Sequence, residues 1–149
     1  ENFKNWYKFK YEVIYFYNVY GPNQISKGSM ATVIGIFESQ IKNKKKLTVV
    51  KPGTQKRRFT HIDDTINICI EAWRKNKNRH YSISSKKMYS IIEVAKMFKG
   101  KILFVPKRKG ERYESSLRNM NLSNKVYKRF GKIELKNYIK SFLKNNTLN

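Results

Sequence analysis

The spacing of hydrophobic and polar positions changes several times along this chain, and each change predicts an element. Residues 11–19, YEVIYFYNV, are aromatic and β-branched with almost no polar interruption. That pattern predicts a strand covered on both faces, as in a parallel sheet. Gly21-Pro22 ends the run with a turn signal. From Gly28 onward the apolar positions are Met30, Val33, Ile34, Phe37 and Ile41, one face of a helix that runs into a lysine-rich stretch. LTVV at 47–50 predicts a short strand, Pro52-Gly53 a turn, and Arg58-Phe59-Thr60 a brief extended segment. A helix is predicted next, with Ile62, Ile66, Cys69, Ile70 and Trp73 on one face. Asp63 or Asp64 stands near its start, where a carboxylate suits the partial positive charge of unpaired N–H groups.

Tyr81-Ser82-Ile83-Ser84 predicts another strand. Ser90 with Glu93 three positions on has the form of a capping box, and Ile91, Val94, Ala95 and Phe98 give the helix behind it a buried stripe. ILFVP at 102–106 predicts a fourth strand. From Leu122 to Lys144 the pattern predicts two short helices with Gly131 between them. Strands alternating with helices predict an α/β architecture. No internal repeat, low-complexity linker or clear domain boundary interrupts it.

Composition narrows the function only partly. A chain of 149 residues fits one ordinary domain with its own core. The 33 Lys+Arg against 10 Asp+Glu give a net charge of +23, which has two accounts. One is a polyanionic partner, since clustered basic groups release counterions on binding nucleic acid. The other is a residue usage that makes the whole surface basic. KNKKK at 42–46, RKNKNR at 74–79 and KRKGER at 107–112 spread the charge along the chain and favour the second. WYKFKYEVIYFY at 6–17 interleaves aromatics with lysines, as single-strand binders do. A basic nucleic-acid-binding protein is therefore the alternative reading, although no helix-turn-helix, zinc-finger or RNA-recognition signature is present.

Cys69 is the only cysteine, which excludes an intramolecular disulfide and a cysteine-rich metal site and fits a reducing cytoplasm. His61 and His80 are too few and too far apart for a zinc pattern. No apolar run reaches the length of a membrane span, and no signal-peptide pattern appears. The chain begins at Glu1 rather than methionine, as a processed product or a piece of a longer protein would.

Four segments occur in series: YFYNVYGP at 15–22, LTVVKPGTQKRRFTHIDD at 47–64, YSISSKKMYSIIEVAKMF at 81–98 and VPKRKGE at 105–111. Together they resemble the C-terminal half of NAD-dependent sugar-nucleotide epimerases and dehydratases. These form the extended short-chain dehydrogenase/reductase family that includes UDP-glucose 4-epimerase. The resemblance covers nearly the whole chain. It implies the last strands of a Rossmann-like parallel sheet, from segments at about 1–18 and 61–85. It also implies a small α/β substrate-binding domain from about 19–60 and 86–149. The complete enzyme would use NAD, bind a nucleotide-sugar, form a homodimer and work in the cytoplasm, with no nucleic-acid partner.

The resemblance also implies a substrate-binding set. Asn18 matches the family asparagine that touches the sugar-nucleotide, and its amide can donate to a phosphate or sugar oxygen and accept from a hydroxyl. Read by itself, the same side chain equally suits a bond to backbone in the turn before Gly21. Arg57 matches the arginine of the family's TQxRxF-like motif; Arg108 and Glu111 match its RxGE-like motif. Guanidinium groups suit a diphosphate because their planar fork makes paired, charge-assisted bonds. An ionised Glu111 accepts from ribose hydroxyls. Without the motif each arginine would read as a solvated charge, as Lys56 and Arg58 do. His61 reads as a structural histidine joining loop to helix.

The chain departs from the family at several points. Arg58 stands where an acid is common, Lys51-Pro52-Gly53 where Gly-Asp-Gly is common, and Ser82, Ser84 and Lys86 where asparagine and glycines are common. Two required features are missing from the sequence. No glycines have the GxGxxG or GxxGxxG spacing of a dinucleotide cradle. No tyrosine is followed four positions later by lysine, the pair in which lysine helps lower the pKa of a tyrosine base. A fragment that begins just after that lysine is the expectation, inactive by itself.

Overall fold

A computed structural model describes residues 2–107 and 126–146. Its first helix, α1 (Asn2–Tyr7), buries none of its side chains. The apolar run that follows does not form one long strand. It divides into β1 (Val13–Phe16) and β2 (Val19–Tyr20), because Asn18 takes a left-handed φ of 39° and bends the chain between them. Asparagine tolerates that region better than most side chains.

Helix α2 (Val33–Lys42) starts one turn later than the apolar spacing implied, at an N-cap Thr32 whose side chain accepts from Gly35 N–H, and Met30 stays outside it. β3 (Leu47–Val50) covers the predicted LTVV. A cis Lys51–Pro52 bond and Gly53 at φ 78° turn the chain into β4 (Lys56–Arg57) and β5 (Thr60–His61). At Gly53 a Cβ would also lie 2.7 Å from Val49, so both backbone and space call for glycine there.

Helix α3 (Ile62–Lys75) begins directly from β5, capped by His61. The face it buries is not the one its isoleucines mark. Asp64, Thr65, Ile68 and Ala72 are inside, whereas Ile66, Ile70 and Trp73 are 47%, 41% and 77% exposed. Polar anchors set the rotation. Thr65 Oγ1 donates to the His61 carbonyl at 3.2 Å, and Asp64 Oδ2 accepts from Ile133 N–H at 3.0 Å. Ala72 then lies against the sheet.

β6 (His80–Ser84) is buried along its whole length, and β7 (Tyr89–Ser90) leads into α4 (Ile91–Met97). The capping box is present in full: Ser90 N–H donates to Glu93 at 2.6 Å and Glu93 N–H to the Ser90 hydroxyl at 3.3 Å. β8 (Ile102–Val105) matches the predicted strand. The first of the two helices expected after Leu122 is instead a strand, β9 (Val126–Phe130), and only α5 (Leu135–Asn146) is helical. VYKRF carries β-branched and aromatic residues that suit the pairing with β6.

Parallel pairing dominates. One sheet has the order β1-β6-β9, β2 pairs with β5 and β3 with β8, all parallel; β4 and β7 pair antiparallel. β1 is an edge strand among the described residues, and it is half-buried rather than covered on both faces, with Phe16 53% exposed. The main core gathers Phe37 of α2, Leu47 and Val49 of β3, Val94 and Phe98 of α4, and Leu135 and Ile139 of α5. A smaller core places Ile68 and Ala72 of α3 on Tyr81 and Ile83 of β6.

Candidate functional site

Residues at or just past the carboxyl ends of β1, β3 and β8 line one cleft of about 390 Å3. Its walls come from Asn18, from the first turns of α2, from Val50 and Val105 at the parallel strand ends, and from Gln55, Arg57 and Phe59 around β4. Such strand ends are where ligands of open parallel sheets bind, and the volume is in the usual range for a small-molecule site.

Two of the four residues expected at a substrate site meet in this cleft: Asn18 and Arg57 both line it. Asn18 Nδ2 donates to the Arg58 carbonyl at 3.0 Å. Its amide is thus tied to backbone of the β4–β5 connection rather than within the turn before Gly21. Arg57 is half-buried, and its Nη1 donates to the Lys56 carbonyl at 2.9 Å. Arg108 and Glu111 lie outside the described residues.

Arg58, the neighbouring arginine, is engaged elsewhere. Its Nη1 donates to the carbonyls of Ser85 at 2.9 Å and Lys86 at 2.6 Å. It therefore joins the β4–β5 connection to the loop leaving β6.

The cleft's electrostatics favour an anion. Helix α2 directs its open end at it: Thr32, Val33 and Ile34 are in the lining, and first-turn N–H groups carry partial positive charge. The starts of α3 and α4 suit an anion less well. α3 has Asp63 and Asp64 in its first turn, and α4 holds the Glu93 carboxylate on Ser90. Hydrogen bonds from Ser90, side chain first and backbone second, keep the Glu93 carboxyl below its ordinary range and hence charged.

Polar groups in the lining are Asn18, Thr32, Thr48, Gln55 and Arg57. No carboxylate, imidazole, thiol or phenol is among them, so the described walls can bind and orient but not exchange protons. Nearby phenols lie in the packing behind. Burial pushes the Tyr20 hydroxyl up, aided by Asp64, and it donates to the Ile133 carbonyl at 3.1 Å. Burial and the bond to Glu38 at 2.7 Å do the same to Tyr138. His61 is buried between these two rings and accepts from Asp63 N–H at 3.2 Å, a capping role. Among the described residues no three His, Cys, Asp or Glu side chains cluster as a metal site would, and no helix is long and apolar enough to cross a membrane.

Gln55 is the cleft residue that sequence reasoning missed. It is 2% exposed, and its Oε1 has no hydrogen-bond partner. The available signal was its place two positions before Arg57, since alternate residues of an extended chain face one side.

Residues 1–84 match the model of the NAD dependent epimerase/dehydratase family. The chain belongs to that family. Solved structures agree in fold. A UDP-glucose 4-epimerase from Thermotoga maritima, solved with UDP-glucose, superposes with a TM-score of 0.81 at 24% identity over 99% of this chain and 50% of its own. A UDP-glucuronic acid 4-epimerase from Bacillus cereus, in complex with UDP-glucuronic acid and NAD, gives 0.74 at 19% identity over 99% and 48%. A dTDP-glucose 4,6-dehydratase from Bacillus anthracis, in complex with NAD, gives 0.72 at 16% identity over 99% and 48%. This epimerase/dehydratase-family chain therefore spans about half the length of the structures it matches. What the likeness shows is an α/β fold with parallel sheets. The residues present do not fit NAD by themselves. No helix among the described residues opens on a glycine-rich turn, and the acidic first turns of α3 and α4 would repel a pyrophosphate.

Proposed function

We propose that these residues form the substrate-binding portion, with the last strands of the dinucleotide-binding sheet, of an NAD-dependent sugar-nucleotide epimerase or dehydratase. On this reading they are the C-terminal part of a UDP-glucose 4-epimerase-like enzyme. Segments near 19–60 and 86–149 hold the substrate, apart from β9, which continues the sheet together with those near 1–18 and 61–85. Arg57 and Arg108 grip the diphosphate, Asn18 contacts the sugar-nucleotide, and Glu111 accepts from the ribose. NAD and the tyrosine base belong to the other part of the complete enzyme, a cytoplasmic homodimer.

The supporting observation is that Asn18 and Arg57, far apart in sequence, line one cleft at parallel strand ends, beside an uncharged helix start. The Thermotoga maritima and Bacillus cereus structures were solved with a UDP-sugar, which favours the same ligand class for this chain. The role of such a site is orientation: a fixed diphosphate holds the sugar in one attitude while it reacts.

Calorimetric titration of UDP tests the proposal. The chain is expected to bind UDP, and Arg57→Ala to weaken binding by roughly 10- to 100-fold, the loss of one charge-assisted contact of about 1.5–3 kcal/mol. Oligonucleotide binding with a steep salt slope, and no UDP binding, would instead favour the basic-surface alternative. The 149-residue chain by itself is expected neither to bind NAD normally nor to turn over a nucleotide-sugar. Turnover by this chain alone would refute the proposed division of labour.

A further inference from the structure

We infer that Gln55 reads the nucleoside half of the ligand in this cleft, with Oε1 accepting a hydrogen bond from a ribose hydroxyl or a base imide N–H; this rests on the nucleotide-sugar reading above. Among the described residues two buried side-chain polar atoms lack a partner, Gln55 Oε1 and the Tyr81 hydroxyl. Tyr81 packs under α3, in the smaller core. Gln55 lines the cleft.

A buried carbonyl without a donor destabilises the protein that carries it. Retaining one at the wall of a ligand-sized cleft is understandable if the bound state supplies the donor. Gln55 is held for that purpose: its main-chain carbonyl accepts from Ile91 N–H at 3.1 Å, at the start of α4.

Its place relative to Arg57 identifies which part of the ligand it meets. The two residues are alternate positions at β4 and line the same cleft, and such neighbours are spaced about 6–7 Å along an extended chain. A guanidinium on the diphosphate puts the ribose and base within reach of a side chain one such step away. Arg57 is half-buried and Gln55 is 2% exposed, so charge lies toward the mouth and the neutral acceptor toward the interior. Val50, Phe59 and Val105 add apolar surface, which suits a sugar ring or base and not a phosphate.

Thermal melts and titrations of the whole 149-residue chain test this. Gln55→Met keeps the length of the side chain and removes the acceptor. It is expected to leave the ligand-free melting temperature unchanged or raised, and to weaken UDP binding about tenfold. Analogues on the unsubstituted chain separate the two donors. If the base is read, N3-methyl-UDP binds about tenfold more weakly than UDP; if the ribose is read, the 2′- or 3′-deoxy analogue does. The weakened analogue should then be indifferent to Gln55→Met. A variant that melts lower yet binds UDP normally overturns the inference, because the amide is then structural. Equal affinity of the unsubstituted chain for UDP and every analogue overturns it too, whether or not the variant folds. UDP binding abolished by Arg57→Ala but untouched by Gln55→Met removes this inference and leaves the nucleotide reading standing. Absence of UDP binding to the unsubstituted chain removes both.

Discussion

Arg57 and Arg58 are adjacent in sequence but differ in surroundings, Arg57 lining the cleft and Arg58 bonded to the loop after β6, and replacing Arg58 with methionine tests the difference. Methionine keeps most of the apolar stem and removes every donor. Two bonds are lost, from Nη1 to the Ser85 carbonyl at 2.9 Å and the Lys86 carbonyl at 2.6 Å. Bonds from a charged donor contribute about 1.5–3 kcal/mol each when buried. One of these is part-buried and the other exposed, so water substitutes in part, and the sum is about 1–2 kcal/mol. For a domain of this size each kcal/mol moves Tm by about 2–4 °C, giving a fall of roughly 2–8 °C by calorimetry or circular dichroism. UDP affinity is expected to stay within about threefold, since Arg58 does not line the cleft. A Tm unchanged within about 1 °C would refute the latch, and a large loss of affinity at intact stability would mean that Arg58, not Arg57, holds the anion.

Further substitutions test the packing around the site. Ser90→Ala should cost about 1 kcal/mol at neutral pH by loss of the cap. Because Glu93 is held below its ordinary range in the folded protein, the capping box is fully stabilising above the unfolded carboxyl pKa of about 4.3. That contribution is lost as pH falls through the lower folded value, so the gap between wild type and Ser90→Ala should narrow in acid melts. Gly21→Ala places a Cβ 2.5 Å from Cγ2 of Ile62, a β-branched side chain that cannot swing away, and should destabilise by about 1–3 kcal/mol in urea unfolding. On α3, Ile68→Ala should cost about 2–5 kcal/mol and Ile70→Ala less than about 1, in the same assay; the reverse order would mean the helix is turned the other way.

Elements set by local chemistry were legible from residue order. LTVV, the Ser90–Glu93 box and the strand at 81–84 each carry their own signal within a few positions. α3 was legible as a helix but not in its rotation, because Asp64 and Thr65 point inward to bond partners as distant in sequence as Ile133. β9 was missed because VYKRF has no clear period, and it becomes a strand by adding to β6. The break at Asn18 depends on a backbone angle that no hydrophobic pattern reports. Asn18 and Arg57 were legible as site candidates only through motif resemblance, since each would otherwise read as ordinary surface. Gln55 offered only its spacing from Arg57: a glutamine in a loop carries no mark of being 2% exposed with an unmet oxygen.

The most direct test of the central claim is where UDP binds. Backbone and side-chain amide resonances of the ¹⁵N-labelled chain, followed through a UDP titration, should shift at Asn18, at Thr32–Ile34, at Gln55 and Arg57, and at Val50 and Val105. Shifts confined to the lysine-rich surfaces at 42–46 and 74–79, with these residues unmoved, would contradict it.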